Sequence, residues 1–141
     1  MTVNRQWILR QRPVGDIKPG DLELVEAPVP ELQDGQILVR NVYLSLDPTN
    51  RIWMSDIDQY MPPVGVGDVM RGATIGVVEQ SRNEAYAVGD AVTCFDGWQD
   101  YVVTGGAQVL PKGLPLPAYM SVMGATGATA YFGLLDVGKA K

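Results

Sequence analysis

The chain has 141 residues, 11 Lys and Arg against 16 Asp and Glu, a formal charge of −5 and no histidine. The missing imidazole excludes Ser-His-Asp and Cys-His nucleophilic sites and most catalytic zinc shells. The acidic balance, without a Lys/Arg cluster, excludes a nucleic-acid surface, where affinity comes from phosphate neutralisation.

Sixteen glycines and ten prolines in a chain that is 46% hydrophobic describe a globular domain that turns often. In chain order, β-like runs are predicted at Arg5 to Arg10, Leu22 to Glu26, Gln36 to Leu46, Thr74 to Gln80, Ala91 to Phe95 and Trp98 to Val103. Turn residues separate them: Pro19-Gly20, Pro28 to Pro30, Asp34-Gly35, Pro62-Pro63, Gly89-Asp90 and Gly105-Gly106. This spacing is that of a β-barrel or sandwich. The stretch Asp47 to Gly67 is expected to be a long irregular connection that carries function.

From Gly113 to Leu135 there are 23 residues without a charge, close to the ~20 a spanning helix needs. Pro115, Pro117, Gly124, Gly127 and Gly133 divide it, so two buried helices are predicted at Ala118 to Met123 and Thr126 to Val137, with Gly138 as the C-cap. No membrane span is expected. A lone Cys94 forms no internal disulfide, and the first ten residues lack the apolar core of a secretion signal, so the expected location is cytoplasmic. After the second helix only Gly138-Lys139-Ala140-Lys141 follow, with no closing element, so the sequence is expected to belong to a longer protein.

Five strings occur in order: Val42-Tyr43-Leu44-Ser45-Leu46-Asp47-Pro48 with Arg51-Ile52-Trp53-Met54-Ser55-Asp56, then Met70-Arg71-Gly72-Ala73-Thr74-Ile75-Gly76, then Gly97-Trp98-Gln99-Asp100-Tyr101, and last Gly127-Ala128-Thr129-Ala130-Tyr131-Phe132-Gly133-Leu134-Leu135. Together they resemble the zinc-independent, medium-chain NADPH-dependent reductases of the prostaglandin reductase, curcumin reductase and leukotriene hydroxydehydrogenase group. The resemblance implies a mainly β fold with C-terminal helices. Residues 1–112 would form a GroES-like, partly open β-barrel, the catalytic domain, and residues 113–141 would form linking helices toward a nucleotide-binding domain outside this sequence.

Zinc-dependent relatives place a Cys after the third strand and Gly-His-Glu before the following Gly-Val-Val strand, where this chain has Leu46-Asp47-Pro48 and Arg71-Gly72-Ala73. The resemblance therefore implies no metal, NADPH as cofactor, and hydride addition to the C=C of a small-molecule enone or quinone. The runner-up is a stand-alone GroES-like binding module without cofactor. Neither Gly65-Val66-Gly67 nor Gly124-Ala125-Thr126-Gly127 meets the dinucleotide fingerprint, so both are read as turn or packing glycines, and this chain alone is expected to bind NADPH weakly and to be inactive.

The residues carried over as cofactor-binding are Pro48, Asn50, Arg51 and Thr129. Arg51 either meets a cofactor phosphate through its planar fork or pairs with Asp47 to pin the loop. Thr129 either contacts the nicotinamide carboxamide or caps its helix. The substrate pocket is assigned to Thr49, Tyr60, Trp98 and Met123, with Trp98 and Met123 also readable as core residues; many relatives carry Tyr where Thr49 stands. No catalytic residue is assigned. Exposed Tyr131, Phe132, Leu134 and Leu135 on the C-terminal helix are expected to drive homodimerisation.

Overall fold

The computed structural model describes residues 2–141. The chain is mainly β with helices at its C-terminal end. Strand β1 (Val3–Leu9) pairs antiparallel with β2 (Leu22–Pro28), from Val3 opposite Pro28 to Leu9 opposite Leu22. Strands β3 (Ile37–Leu44), β4 (Thr74–Ser81), β5 (Ala91–Cys94), β6 (Tyr101–Thr104) and β7 (Gln108–Val109) form a second antiparallel sheet in the order β6-β3-β4-β5-β7. This sheet stays open at β6 and β7, so the arrangement is a partly open one and not a closed barrel.

The alternation of the sequence places one face of this sheet inside. Ile37 and Val39 of β3 meet Val78 of β4, Val92 and Cys94 of β5 and Val102 of β6 in the first core cluster. Between Asn41 and Tyr43 the pairing with β4 slips by one residue, a bulge opposite Gly76. A Cβ at Gly76 would stand 2.6 Å from the Arg40 carbonyl oxygen, so only glycine allows this close approach.

Contrary to the expected irregular connection, Pro48–Trp53 is a helix, α1. Asp47, extended at φ −115° and ψ 147°, stands at its N-cap, and Pro48 begins it, where a missing N–H costs nothing. Packing then holds so short a helix: Trp53 and Met54 enter a second core cluster with Leu9, Val64 and Met70, against which Leu22, Met61 and Trp98 pack.

Strand β1 stitches distant segments to this cluster through its backbone. Trp7 N–H donates to Trp98 O (2.9 Å), Met70 N–H to Trp7 O (2.7 Å) and Leu9 N–H to Asp68 O (3.0 Å). Buried Asn4 completes the seam with its side chain: Nδ2 donates to Tyr101 O (2.9 Å) and Oδ1 accepts from Tyr101 N–H (2.9 Å). A side-chain amide thus stands in for a strand partner on the outer edge of β6.

By its internal contacts the chain divides after Val109, and Leu110–Lys141 is a separate unit. It contains α2 (Leu116–Met120), α3 (Ala125–Phe132) and a π-helical turn at Gly133–Val137. The helices were expected at 118–123 and 126–137 and to be buried; they begin earlier, the second changes pitch at Gly133, and none of their residues is buried. Proline is tolerated in a first turn, which lets α2 start at Leu116 around Pro117. Gly138 is right-handed at φ −74°, and Lys139 takes the left-handed conformation at φ 51°, so the expected glycine cap is displaced by one residue. Gly127 is a packing glycine, because a Cβ there would overlap the Val122 carbonyl.

Candidate functional site

The Asp47–Arg51 turn is built by mutual hydrogen bonding. Asp47 N–H donates to Asn50 Oδ1 (2.6 Å), Asn50 N–H donates to Asp47 O (2.9 Å), and Asn50 Nδ2 donates to Arg71 O (3.1 Å). With 4% exposure and both amide atoms engaged, Asn50 braces α1 against the Arg71-Gly72-Ala73 segment.

Arg51 is engaged within the domain. It makes no ion pair with Asp47; instead Nε and Nη2 donate to Gly15 O (3.1 and 2.9 Å), Nη2 also to Pro13 O (2.9 Å), and Nη1 to Ser55 Oγ (2.7 Å). Three of these four bonds tie the guanidinium to the loop after β1, and the fourth ties it to Ser55 just past its own helix. Arg12 from the same loop donates through Nη1 to Met54 O (2.9 Å) at the end of α1. The pinning expected from a carboxylate is done by backbone carbonyls.

The pocket residues occupy different surroundings. Thr49 is half-buried on α1, beside exposed Pro48. Tyr60 is 70% exposed, and its hydroxyl accepts from Trp53 Nε1 (2.9 Å). Trp98 is half-buried and packs on the second core cluster, so its core reading describes its surroundings. Its Nε1 has no hydrogen-bond partner and lies over Gly72, where a Cβ would approach Cδ1 to 2.8 Å. Gly72, adjacent to Arg71 and hence to Asn50, is what admits the indole.

In the C-terminal unit Met123 is exposed between α2 and α3. Thr129 is the fifth residue of α3, and its hydroxyl donates back to Ala125 O (2.7 Å), so it does not cap the helix start. It remains exposed.

Residues the sequence reading left unassigned complete the site. Trp53, 5% exposed, carries the Phe95 ring edge-on at 5.4 Å and 77°, and the Arg71 guanidinium lies 5.9 Å from its ring centroid. Arg71 Nη1 donates to Pro62 O (2.7 Å). Trp53 and Arg71 stood within the quoted strings, which was the available signal; their meeting with Phe95 was not in it. Beyond Phe95, burial raises the Asp96 carboxyl, and burial with the nearby Asp96 charge pushes the Cys94 thiol up to about 12, leaving it a packing group. Among the described residues no cluster of three or more Cys, Asp or Glu is placed to hold a metal, and no helix is long and apolar enough to cross a membrane.

Residues 5–111 match the family described as the N-terminal domain of oxidoreductase, and the chain belongs to that family. It is 43% identical over 141 residues to the NADPH-dependent curcumin reductase of Escherichia coli, covering 98% of this chain and 41% of that protein. It is 32% identical to prostaglandin reductase 1 of Bos taurus, covering 94% and 40%. The crystal structure of CurA from Vibrio vulnificus superposes with a TM-score of 0.87 at 43% identity, over 98% of this chain and 42% of that one; the same protein has been solved in complex with NADPH. The chain spans about two fifths of the length of the curated relatives it matches.

Proposed function

We propose that this chain is the substrate-side domain of an NADPH-dependent reductase acting on the C=C bond of α,β-unsaturated carbonyl compounds. The observation that carries the reading is the 43% identity, over 98% of the chain, to an NADPH-dependent curcumin reductase. The residues support it chemically: no cysteine or imidazole stands in the Leu46-Asp47-Pro48 turn or the Arg71-Gly72-Ala73 segment, so an already conjugated acceptor suits them better than an unactivated alcohol.

NADPH supplies the hydride in this reading. Asn50 and most of the Arg51 guanidinium donate to groups within the domain, which favours a phosphate grip elsewhere. The phosphate grip is assigned to the portion of the relatives that this chain does not align with, and the domain contributes a wall that shapes the acceptor. We also propose a cytoplasmic location, in keeping with a lone cysteine that forms no internal disulfide.

Product analysis tests the reaction. A protein carrying this domain, given NADPH and 4-phenylbut-3-en-2-one, should release the saturated ketone 4-phenylbutan-2-one. Release of the allylic alcohol instead would place the chemistry on the carbonyl and contradict the reading.

A further inference from the structure

The arginines fall into two groups. Arg5, Arg10, Arg40 and Arg82 each face a carboxylate, from Asp100, Glu23, Glu79 and Asp34. Arg12, Arg51 and Arg71 face none among the described residues: they donate to main-chain carbonyls and, for Arg51, also to Ser55 Oγ. All three stand at α1, since Arg12 donates to Met54 O at its end, Arg51 is part of it and Arg71 lies over Trp53. In a chain of net charge −5, three cations without a carboxylate around one short helix make a local positive region.

Arg71 is both held and open. Its backbone is clamped on three successive residues: Trp98 N–H donates to Met70 O (2.8 Å), Asn50 Nδ2 to Arg71 O (3.1 Å) and Gly97 N–H to Gly72 O (3.2 Å). Its half-buried side chain is fixed as well, with Nη1 donating to Pro62 O (2.7 Å) and the guanidinium carbon 5.9 Å from the centroid of buried Trp53. Nε and Nη2 donate to no protein group among the described residues. These two N–H groups share one edge of the guanidinium and match the two oxygens of a carboxylate. Arg5 shows the same edge in use, with Nε and Nη2 on Asp100 Oδ2 (2.6 Å) and Oδ1 (3.2 Å). A guanidinium already fixed in place loses little further freedom when it binds an anion. Pro62 follows Tyr60 by two residues, so this edge stands beside a residue of the assigned pocket.

We propose that Arg71 is a specificity-determining residue that binds a carboxylate carried by the acceptor, so that this protein prefers anionic unsaturated carbonyl compounds to their neutral esters. That the carboxylate belongs to a substrate rests on the reductase reading; the carboxylate site itself does not. The same edge suits a phosphate oxygen of the cofactor, and the test separates the two sources.

The test uses a protein carrying this domain and two pairs of compounds. Calorimetry with 4-oxopentanoate and its methyl ester, neither of which has a double bond to reduce, reports on the site alone; the acid should bind about tenfold tighter than the ester. Arg71→Met, which keeps an unbranched stem on Trp53, should erase that preference, and Arg71→Lys, a point charge without the fork, should keep about a third of it. Raising salt to about 0.5 M should weaken the acid and spare the ester in the unaltered protein, a readout that needs no variant. In turnover with NADPH, 4-oxopent-2-enoate and its methyl ester should follow the same order, with the acid-to-ester ratio of kcat/KM falling about tenfold in Arg71→Met and the change lying in KM. Equal affinity for acid and ester in the unaltered protein, or acid and ester weakened alike by Arg71→Met, overturns the proposal. A KM for NADPH that rises in Arg71→Met while the acid-to-ester ratio holds gives the edge to the cofactor's phosphate and overturns it too. Tight binding of 4-oxopentanoate by a protein that reduces no enone would refute the reductase reading and leave the carboxylate site standing.

Discussion

The β portion, up to Val109, and the helical portion, Leu110–Lys141, use apolar residues in opposite ways. In the first, alternating strands and α1 bury Ile37, Val39, Val78 and Val92 in one cluster and Leu9, Trp53, Met54 and Met70 in another. In the second, Tyr131, Phe132, Leu134, Leu135 and Val137 are all exposed, and no residue of α2, α3 or the π-turn is buried. Hydropathy alone did not separate the two, because the helical segment is the less charged of them. Burial depends on whether a periodic face meets a partner of matching period, and the β portion supplies its own.

The comparison breaks first on a core truncation. Met70→Ala should lower unfolding free energy by about 2–5 kcal/mol in urea titration, whereas Leu134→Ala should stay within about 0.5 kcal/mol. Equal losses would mean that the exposed helix contributes to the same core.

Next comes the seam at Asn4. Asn4→Ala leaves the Tyr101 N–H and carbonyl without their partner and should cost about 1–3 kcal/mol by the same titration. A neutral result would show that β6 holds its edge without that amide.

Self-association sharpens the contrast from the helical side. We propose that the exposed C-terminal apolar residues drive homodimerisation, so light scattering should give a mass that rises with concentration at micromolar levels, and L134E combined with L135E should return it to the monomer. A monomeric mass for the unaltered chain contradicts this.

The smallest effect concerns acid. Asp21, 3% exposed, accepts from Lys18 N–H (2.7 Å) and Gln11 Nε2 (2.8 Å), which hold its carboxyl below the ordinary carboxylate range. Its stabilisation is therefore present above the unfolded pKa of about 3.9 and is lost as pH falls through the lower folded value. Asp21→Asn should destabilise the chain at neutral pH and make no difference at the acid end, as followed by thermal melting across pH. A constant difference at all pH values would assign the effect to packing.

Much of this fold was legible. The β-branched runs and their Gly and Pro punctuation located β1 to β6 to within a few residues, because period-two patterning and turn chemistry are local signals. Strand β7 was missed: Gln108–Val109 is two residues long and lies exposed at a sheet edge. Helix α1 was missed because Asp47-Pro48 reads as a turn, while the packing that stabilises six helical residues comes from Leu9, Val64 and Met70. The site was less legible for the same reason. The motif strings contained Arg51 and Trp53, and Asn50 was carried over from the gap between them, but their partners lie far along the chain, at Pro13 and Gly15, at Phe95 and at Arg71. Which donors are already spent is a tertiary fact, and it decides whether a residue is a ligand contact or a brace.

The central claim, that this chain works as the substrate-side domain of an NADPH-dependent enone reductase, is tested most directly by exchange. The chain would replace the matching 41% of the Escherichia coli NADPH-dependent curcumin reductase, and NADPH oxidation would be followed by absorbance with an aryl enone added. The account predicts enone-dependent oxidation by the chimera with saturated ketone as product; a folded chimera that binds NADPH yet oxidises none of it when the enone is added would contradict it.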